Sequence, residues 1–206
     1  MARARIVHTD KIVAAALAIA DERGLTAVSM RSVSDRLGVV PTALYRHVAS
    51  KDELLARMAD SVLATLPPMR DDVDLQTAVV DLFVALRDLM IEHHGLAELM
   101  LLRTSGTPTM LTAAESVLKA MEADGFSDHQ AVTTLAMLQW STLGAALHGA
   151  ARRGRSKDEL PPAIAAVEAE SYPAITRAGQ EFPEGARREQ FREGLHQLLN
   201  GLDPRR

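Results

Sequence analysis

The sequence predicts an all-α chain, on three observations. Apolar residues recur at three- and four-residue spacing through most of the 206 positions, and no stretch alternates apolar with polar residues as a half-buried strand would. With only seven aromatic side chains, the core must be filled by Ala, Leu, Val and Met, residues that suit helices.

Thr9 is expected to cap a first helix whose apolar positions Ile12, Val13, Ala16, Leu17 and Ala20 share a face, with Gly24 as its stop. Ser29 caps a short helix over residues 30 to 37, with Val33 and Leu37 on one side and Gly38 ending it. Pro41 suits the first turn of a third helix, roughly residues 41 to 47, because a missing amide costs nothing there. Ser50 and Glu53 form a capping box. A fourth helix therefore starts near Lys51 and runs through Leu54, Leu55, Met58 and Val62 until Pro67-Pro68.

From Leu75 to His93, the set Val79, Leu82, Phe83, Leu86, Leu89 and Met90 marks an amphipathic helix. A shorter helix is expected around residues 96 to 102. Pro108 opens the next, which reaches Asp124 and stops at Gly125, and Ser127 with Gln130 makes a second capping box. The long helix that follows, from Asp128 to about Arg153, carries Met137, Trp140, Leu143 and Leu147; being apolar on most sides, it is expected to be buried. Further helices are expected over roughly 160 to 171, from Pro173, and near 184 to 202. Phe191, Leu195, Leu198, Leu199 and Leu202 stripe the last, while Ile164, Val167 and Ile175 stripe its neighbours.

Composition excludes several classes. At 47% hydrophobic and 24% charged, with a mean hydropathy of -0.01, the chain suits a water-soluble domain or two small ones. The absence of cysteine removes any disulfide framework, thiol nucleophile or zinc ribbon. Arg3 and Arg5 before the apolar run of residues 12 to 20 mimic a secretory signal, but Asp10, Lys11 and Asp21-Glu22-Arg23 bracket the run with charge. No run approaches the ~18 apolar residues of a membrane helix. The expectation is a cytoplasmic protein with no membrane contact.

The net charge of -4 hides an asymmetry: residues 1 to 60 hold nine Lys and Arg against seven Asp and Glu, the remainder fourteen against twenty. Within residues 28 to 51, Arg31, Arg36, Arg46 and Lys51 face Asp35 alone, a cluster of the sign that phosphates attract, or simply a solvated helix face. Its setting is helix, short helix, tight turn at Gly38, short helix, the order a helix-turn-helix needs. Leu25-Thr26, Arg31, Leu37-Gly38-Val39, Leu44-Tyr45-Arg46-His47 and Ser50-Lys51-Asp52-Glu53-Leu54-Leu55 fall at the spacing of a known signature. Residues 25 to 55 thereby resemble the DNA-binding region of the tetracycline-repressor (TetR/AcrR) family of bacterial regulators. The resemblance implies an N-terminal three-helix helix-turn-helix DNA-binding domain over residues 1 to 50. The fourth helix would join it to a helical effector-binding and dimerisation domain over residues 51 to 206.

The candidate DNA-contacting residues are Ser29, Arg31, Pro41, Thr42, Ala43, Tyr45, Arg46, His47 and Lys51. Arg31 can reach a guanine edge or a phosphate, or be an ordinary exposed arginine. Thr42 and Ala43 are short enough for close approach to bases, offering a hydroxyl and a thymine-methyl contact. Tyr45 suits phosphate or base contact, or burial; His47 and Lys51 suit phosphates. Arg46 either sets sequence preference or only adds charge. Pro41 offers no side-chain hydrogen bond, and Leu44 and Val48 belong to the core.

One such module binds weakly, so a homodimer on palindromic double-stranded operator DNA is expected, with its recognition helices ~34 to 36 Å apart. The expected dimer surface is the C-terminal stripe of Ile164, Val167, Ile175, Phe191, Leu195, Leu198, Leu199 and Leu202. Tyr172-Pro173-Ala174 and the pattern from Phe191 to Leu202 resemble, more loosely, the C-terminal dimerisation region of the tetracycline-repressor branch. That resemblance implies a small molecule among the central helices that tilts helix four. Candidate pocket residues are Phe83, Met90, His94, Met100, Met137, Trp140 and His148, with Arg87, Arg103 and Thr104 as polar anchors, though each also suits ordinary core or surface placement. In the resembling repressors a histidine that holds the tetracycline-bound magnesium aligns with Leu101, and a pocket arginine with Ser105, so a different, mainly apolar effector is expected.

No cofactor and no metal site are expected: the adjacent His93 and His94 point to different helix faces, and neither they nor His148 belong to an HExxH pattern. The competing class is an all-helical enzyme or carrier in which the N-terminal helices only pack, but no GxSxG, phosphate loop or dinucleotide fingerprint supports it. Within the DNA-binding class, repressor, activator and constitutive repressor share these residues. The reading taken is a repressor with no catalysis.

Overall fold

A computed structural model describes residues 8–102, 106–151, 166–179 and 188–201, apart from the side chains of His94, Leu101 and Leu102. Among the described residues there are ten α-helices and no strand. The first, α1 (Thr9–Arg23), buries Ile12, Val13, Ala16, Ile19 and Ala20 on one face and ends at Gly24, whose φ of 80° suits a residue without a β-carbon. Thr9 is not its cap: the His8 carbonyl already accepts the Lys11 and Ile12 amides, so the helix begins one residue earlier than expected. After a single 3₁₀ turn over Leu25–Ala27 comes α2 (Met30–Leu37). Ser29 and Ser32 cap it reciprocally, each hydroxyl accepting the other's amide, and Gly38 in the left-handed region stops it.

The third helix is shorter than the sequence suggests: α3 (Pro41–Leu44) is one turn. The Leu44 carbonyl accepts from both His47 and Val48 amides, tightening residues 45–47 into a turn before the chain re-enters the core at Val48. Next is α4 (Lys51–Leu63), started by Ser50, whose hydroxyl accepts the Glu53 amide at 3.1 Å. Glu53 reaches past Ser50 to the Ala49 amide, 2.6 Å away, a bond that holds its carboxyl below the usual carboxylate range together with Arg57. The helix stops four residues before Pro67, because Thr65 and Leu66 turn back onto the Val62 and Leu63 carbonyls.

The remaining helices form the body. Asp74 caps α5 (Leu75–Glu92); α6 (His94–Leu102) follows after one residue, two residues earlier than expected. Thr107 caps α7 (Pro108–Ala123), and the Ser127–Gln130 box precedes α8 (Asp128–Ala151). Then come α9 (Pro173–Ala178) and α10 (Arg188–Asn200). Of the helix expected over 160 to 171, residues 166–171 are irregular chain and a turn closed by the Ser171 and Tyr172 amides on the Glu168 carbonyl, and the rest lies outside the described residues. The ends of the expected 184–202 helix also lie outside them, except Gly201, which is a turn.

At the centre of the body, α5 is held between α8 and α10, while α4 bridges α1 to α6 and α7. The expectation that α8 is buried on most sides is overturned. Only the stripe Ala131, Thr134, Leu138, Thr142 and Ala146 is buried, and all but Leu138 are small enough to let α5 approach closely. At Gly149 a β-carbon would stand 2.7 Å from Ile91 Cδ1. The opposite face leaves Val132, Met137 and Trp140 exposed.

Candidate functional site

Two sites emerge, a basic head at the N-terminus and an apolar pocket in the body. In the head, Leu44 and Val48 are fully buried, as expected, and pin the short α3 turn against α2. That anchoring turns Pro41, Thr42, Tyr45 and Arg46 outward, with Ala43 and His47 half-buried beside them and Lys51 exposed where α4 begins. Tyr45 is 52% exposed, which removes the alternative of a core tyrosine. Arg31 is exposed on α2, whereas the Ser29 hydroxyl is committed to capping that helix through Ser32.

The basic cluster is narrower than its residue types suggest. Arg36 is tied to Glu22 of α1 by two hydrogen bonds of 2.6 and 2.7 Å, which lower the Glu22 carboxyl pKa and raise that of Arg36. No ion pair among the described residues engages Arg31, Arg46 or Lys51, so these three remain to meet an anion. Sequence reasoning missed Val40, which is 64% exposed beside them. The signal was present: an aliphatic residue stands at a helix cap, where Ser, Thr, Asp or Asn is favoured.

The pocket, about 500 Å³ with its open mouth, lies where α4, α5, α6, α7 and α8 converge. Leu63 of α4 and Leu66 of the turn after it close one side, with Leu82, Phe83 and Leu86 from α5 and Met100 from α6. From α7 come Thr109, Met110, Ala113, Ala114 and Val117, and from α8 Leu135 and Gln139. Its polar side chains are those of Thr109 and Gln139, and no charged residue lines it. A site with this lining suits a compact, uncharged, mainly apolar molecule with one or two hydrogen-bonding groups.

Of the expected pocket residues, Phe83 and Met100 do line it. Met90 is buried core outside it, and Arg87 is buried between α5 and α10, paired with Asp88 at 2.8 Å and lying 5.6 Å over the Phe191 ring. Met137, Trp140 and His148 point outward from α8, so these three are corrected to surface residues. The side chain of His94, and Arg103 and Thr104, lie outside the described residues. Among the described residues no group of three or more His, Asp or Glu could hold a metal ion.

A carboxylate on α4, Asp60, joins the pocket to that helix. The Asp60 carboxylate accepts the backbone amide of Thr109 at 3.1 Å. Burial pushes this carboxyl up, but hydrogen bonds from the Thr109 hydroxyl and amide and the Thr107 hydroxyl outweigh it and hold its pKa below the ordinary value.

The expected dimer stripe is largely spent inside one protomer. Phe191 and Leu195 are buried against α5, and Leu198 and Leu199 are half-buried and packed on the same core. Polar ties hold α10 there: Arg188 to Asp88 and Arg192 to Asp81, both 2.7 Å, and Gln76 to Asn200 at 2.8 Å. Val167 and Ile175 are half-buried, and Ile164 and Leu202 lie outside the described residues. No described helix is long and apolar enough to cross a membrane.

Residues 12–58 match the family described as bacterial regulatory proteins, tetR family, and residues 67–206 match the tetracyclin repressor-like C-terminal domain. The tetracycline repressor protein class A from transposon 1721 of Escherichia coli is 28% identical over 97% of this chain and 92% of its own length. ActR of Streptomyces coelicolor, solved in complex with (S)-DNPA, superposes with a TM-score of 0.81 at 26% identity, covering 98% of both chains. BioQ of Mycobacterium smegmatis superposes with a TM-score of 0.72 at 27% identity, over 95% of this chain and 97% of its own. A structure of BioQ with its double-stranded DNA operator matches with a TM-score of 0.69 at 26% identity over the same shares.

Proposed function

The chain belongs to the tetR family of bacterial regulatory proteins, DNA-binding regulators of transcription, and from that premise we propose how this member works. It is a homodimeric repressor that binds a palindromic double-stranded operator. It leaves that operator when a small, uncharged, mainly apolar effector enters the pocket beneath α4. Catalysis is no part of this reading, and the protein acts in the cytoplasm, where its operator is.

One observation carries it: Leu44 and Val48 are fully buried while Thr42, Tyr45 and Arg46 beside them face outward. A fold gains nothing from an exposed tyrosine and arginine on a one-turn helix, but a major groove does. Residues 1–50 act as the reading head, with Arg31, Tyr45, His47 and Lys51 on phosphates or base edges, and Ser29 positioning α2 rather than touching DNA. Residues 51–206 are the effector and dimer body, and α4 is the lever between them. The BioQ operator complex and the ActR complex with (S)-DNPA support the DNA half and the effector half respectively.

The dimer face is the outer side of α8, where Val132, Met137 and Trp140 are exposed, rather than the apolar side of α10. Trp140 is 65% exposed, an uncommon cost for a monomer and an ordinary one for a symmetric interface.

The test is a gel-shift of the purified protein on the DNA immediately upstream of its own gene, with Tyr45→Ala as control. The reading expects a shift that survives excess competitor DNA and is lost in the variant. No shift at low salt on that or any other duplex would overturn it.

A further inference from the structure

We propose that Val40 is a specificity-determining residue that selects thymine by its 5-methyl group. This rests on the DNA-reading function above and goes beyond it by naming the chemical feature that the head reads.

The argument begins with two adjacent valines. Val39 packs against the core, whereas Val40 next to it is 64% exposed and belongs to no cluster. Val40 does nothing for local structure, since it accepts no side-chain cap bond at the start of α3, where a serine or aspartate would. Pro41 and Thr42 are exposed beside it, and Ala43 is half-buried. The outward tip of the head is therefore aliphatic except for the Thr42 hydroxyl. Arg31 on α2, Arg46 in the turn after α3 and Lys51 at the start of α4 supply the positive charge that seats this tip on a polyanion.

In the major groove the thymine methyl is the apolar feature; the other base edges present hydrogen-bond donors and acceptors. A valine set against O6 of guanine or N4 of cytosine strips water from them and returns nothing, whereas against a methyl group both partners leave water. The tip thus selects thymine by attraction and disfavours G·C pairs by desolvation.

Duplexes selected from a random library by the purified protein supply the probe. Each thymine of the recovered half-site is then replaced singly by deoxyuridine, which removes the methyl and leaves every hydrogen-bonding group in place. Affinities are read by fluorescence anisotropy at fixed salt. The expected result is a position in each half-site, the one Val40 meets, at which the replacement weakens binding about fourfold, the worth of one buried methyl-sized group expressed as a ratio. Val40→Ser should erase that difference while keeping the dependence of affinity on salt, because no charge is lost. Serine also provides the missing cap acceptor, so a weakened fold cannot produce the result.

Equal binding of the thymine and deoxyuridine duplexes at every position would overturn the proposal, as would the survival of every such difference in Val40→Ser. Recovery of no duplex at all would overturn the operator reading as well. The two failures are thus distinct.

Discussion

The Asp60 carboxylate on α4 holds the Thr109 amide in the first turn of α7, and Thr109 itself lines the apolar pocket. Helix four thus carries, one turn before its end, the acceptor for a helix that forms a wall of that pocket. A molecule that pushes the first turn of α7 outward must lengthen this bond or pull α4 with it.

Replacing Asp60 by Ala is expected to destabilise the fold by about 1–2 kcal/mol, the usual cost of a lost helix-capping acceptor, as measured by urea unfolding. The larger consequence is for coupling. Ala114→Leu partly fills the pocket and serves as a built-in occupant, so it should weaken operator affinity in the otherwise native chain. In the Asp60→Ala background the same filling should have less effect, with a non-additivity of roughly 1–3 kcal/mol. Strict additivity would show that the bond transmits nothing.

The pH dependence has a fixed sign. Asp60 titrates lower in the folded chain than its ordinary value, so the unfolded chain binds its proton more readily, and its contribution is present above the unfolded pKa of about 3.9. The stability gap between the native chain and Asp60→Asn should stay constant from neutral pH down to about pH 5. It should then close as the pH falls through 3.9 and below the folded pKa. A gap that widened on acidification would contradict the hydrogen-bond account.

Lys51→Ala should lower the slope of log affinity against log salt by about one unit, since one phosphate contact is lost. Tyr45→Ala should abolish the binding that survives competitor DNA while changing unfolding free energy by no more than about 0.5 kcal/mol, as expected for an exposed side chain. A large loss of stability in Tyr45→Ala would mean that the ring serves the fold.

Much of this architecture was legible in the sequence, and for local reasons. Ser29, Ser50, Ser127 and Gly38 act through neighbours within a few residues, and all mark helix ends as expected. Leu44 and Val48 were readable as anchors because the short helix has one face to bury. The pocket was not readable: it is the space that Ala113 and Ala114 leave between helices, and small residues carry no pattern that distinguishes a cavity wall from a close contact. Phe191 and Leu195 misled for a different reason. A striped helix looks the same whether it faces its own core or a second copy, and the carboxylates that decide, Asp81 and Asp88, lie about a hundred residues away on α5.

Trp140 and Phe191, one exposed on α8 and one buried on α10, make the dimer face testable. Trp140→Glu should leave a folded chain that sediments as a monomer and binds the operator weakly. Phe191→Ala should cost about 3–5 kcal/mol of stability, because it empties a buried site beneath the Arg87 guanidinium. If Phe191→Ala merely separated the protomers, the assignment of the two helix faces would be reversed.

Pocket chemistry can be probed without the natural effector. The uncharged dye N-phenyl-1-naphthylamine should bind with a rise in fluorescence, and Ala114→Trp should abolish the rise by filling the space. Binding of the dye that is indifferent to Ala114→Trp would mean that it occupies another surface.

The central claim, a paired reading head that recognises DNA through α3, is tested most directly by DNase I protection of the operator with the native chain and with Trp140→Glu. The account predicts two protected half-sites related by a two-fold axis and centred about 10 base pairs apart or a multiple of that, lost together in the variant. A single protected half-site, or protection that the variant retains at the same concentration, would contradict it.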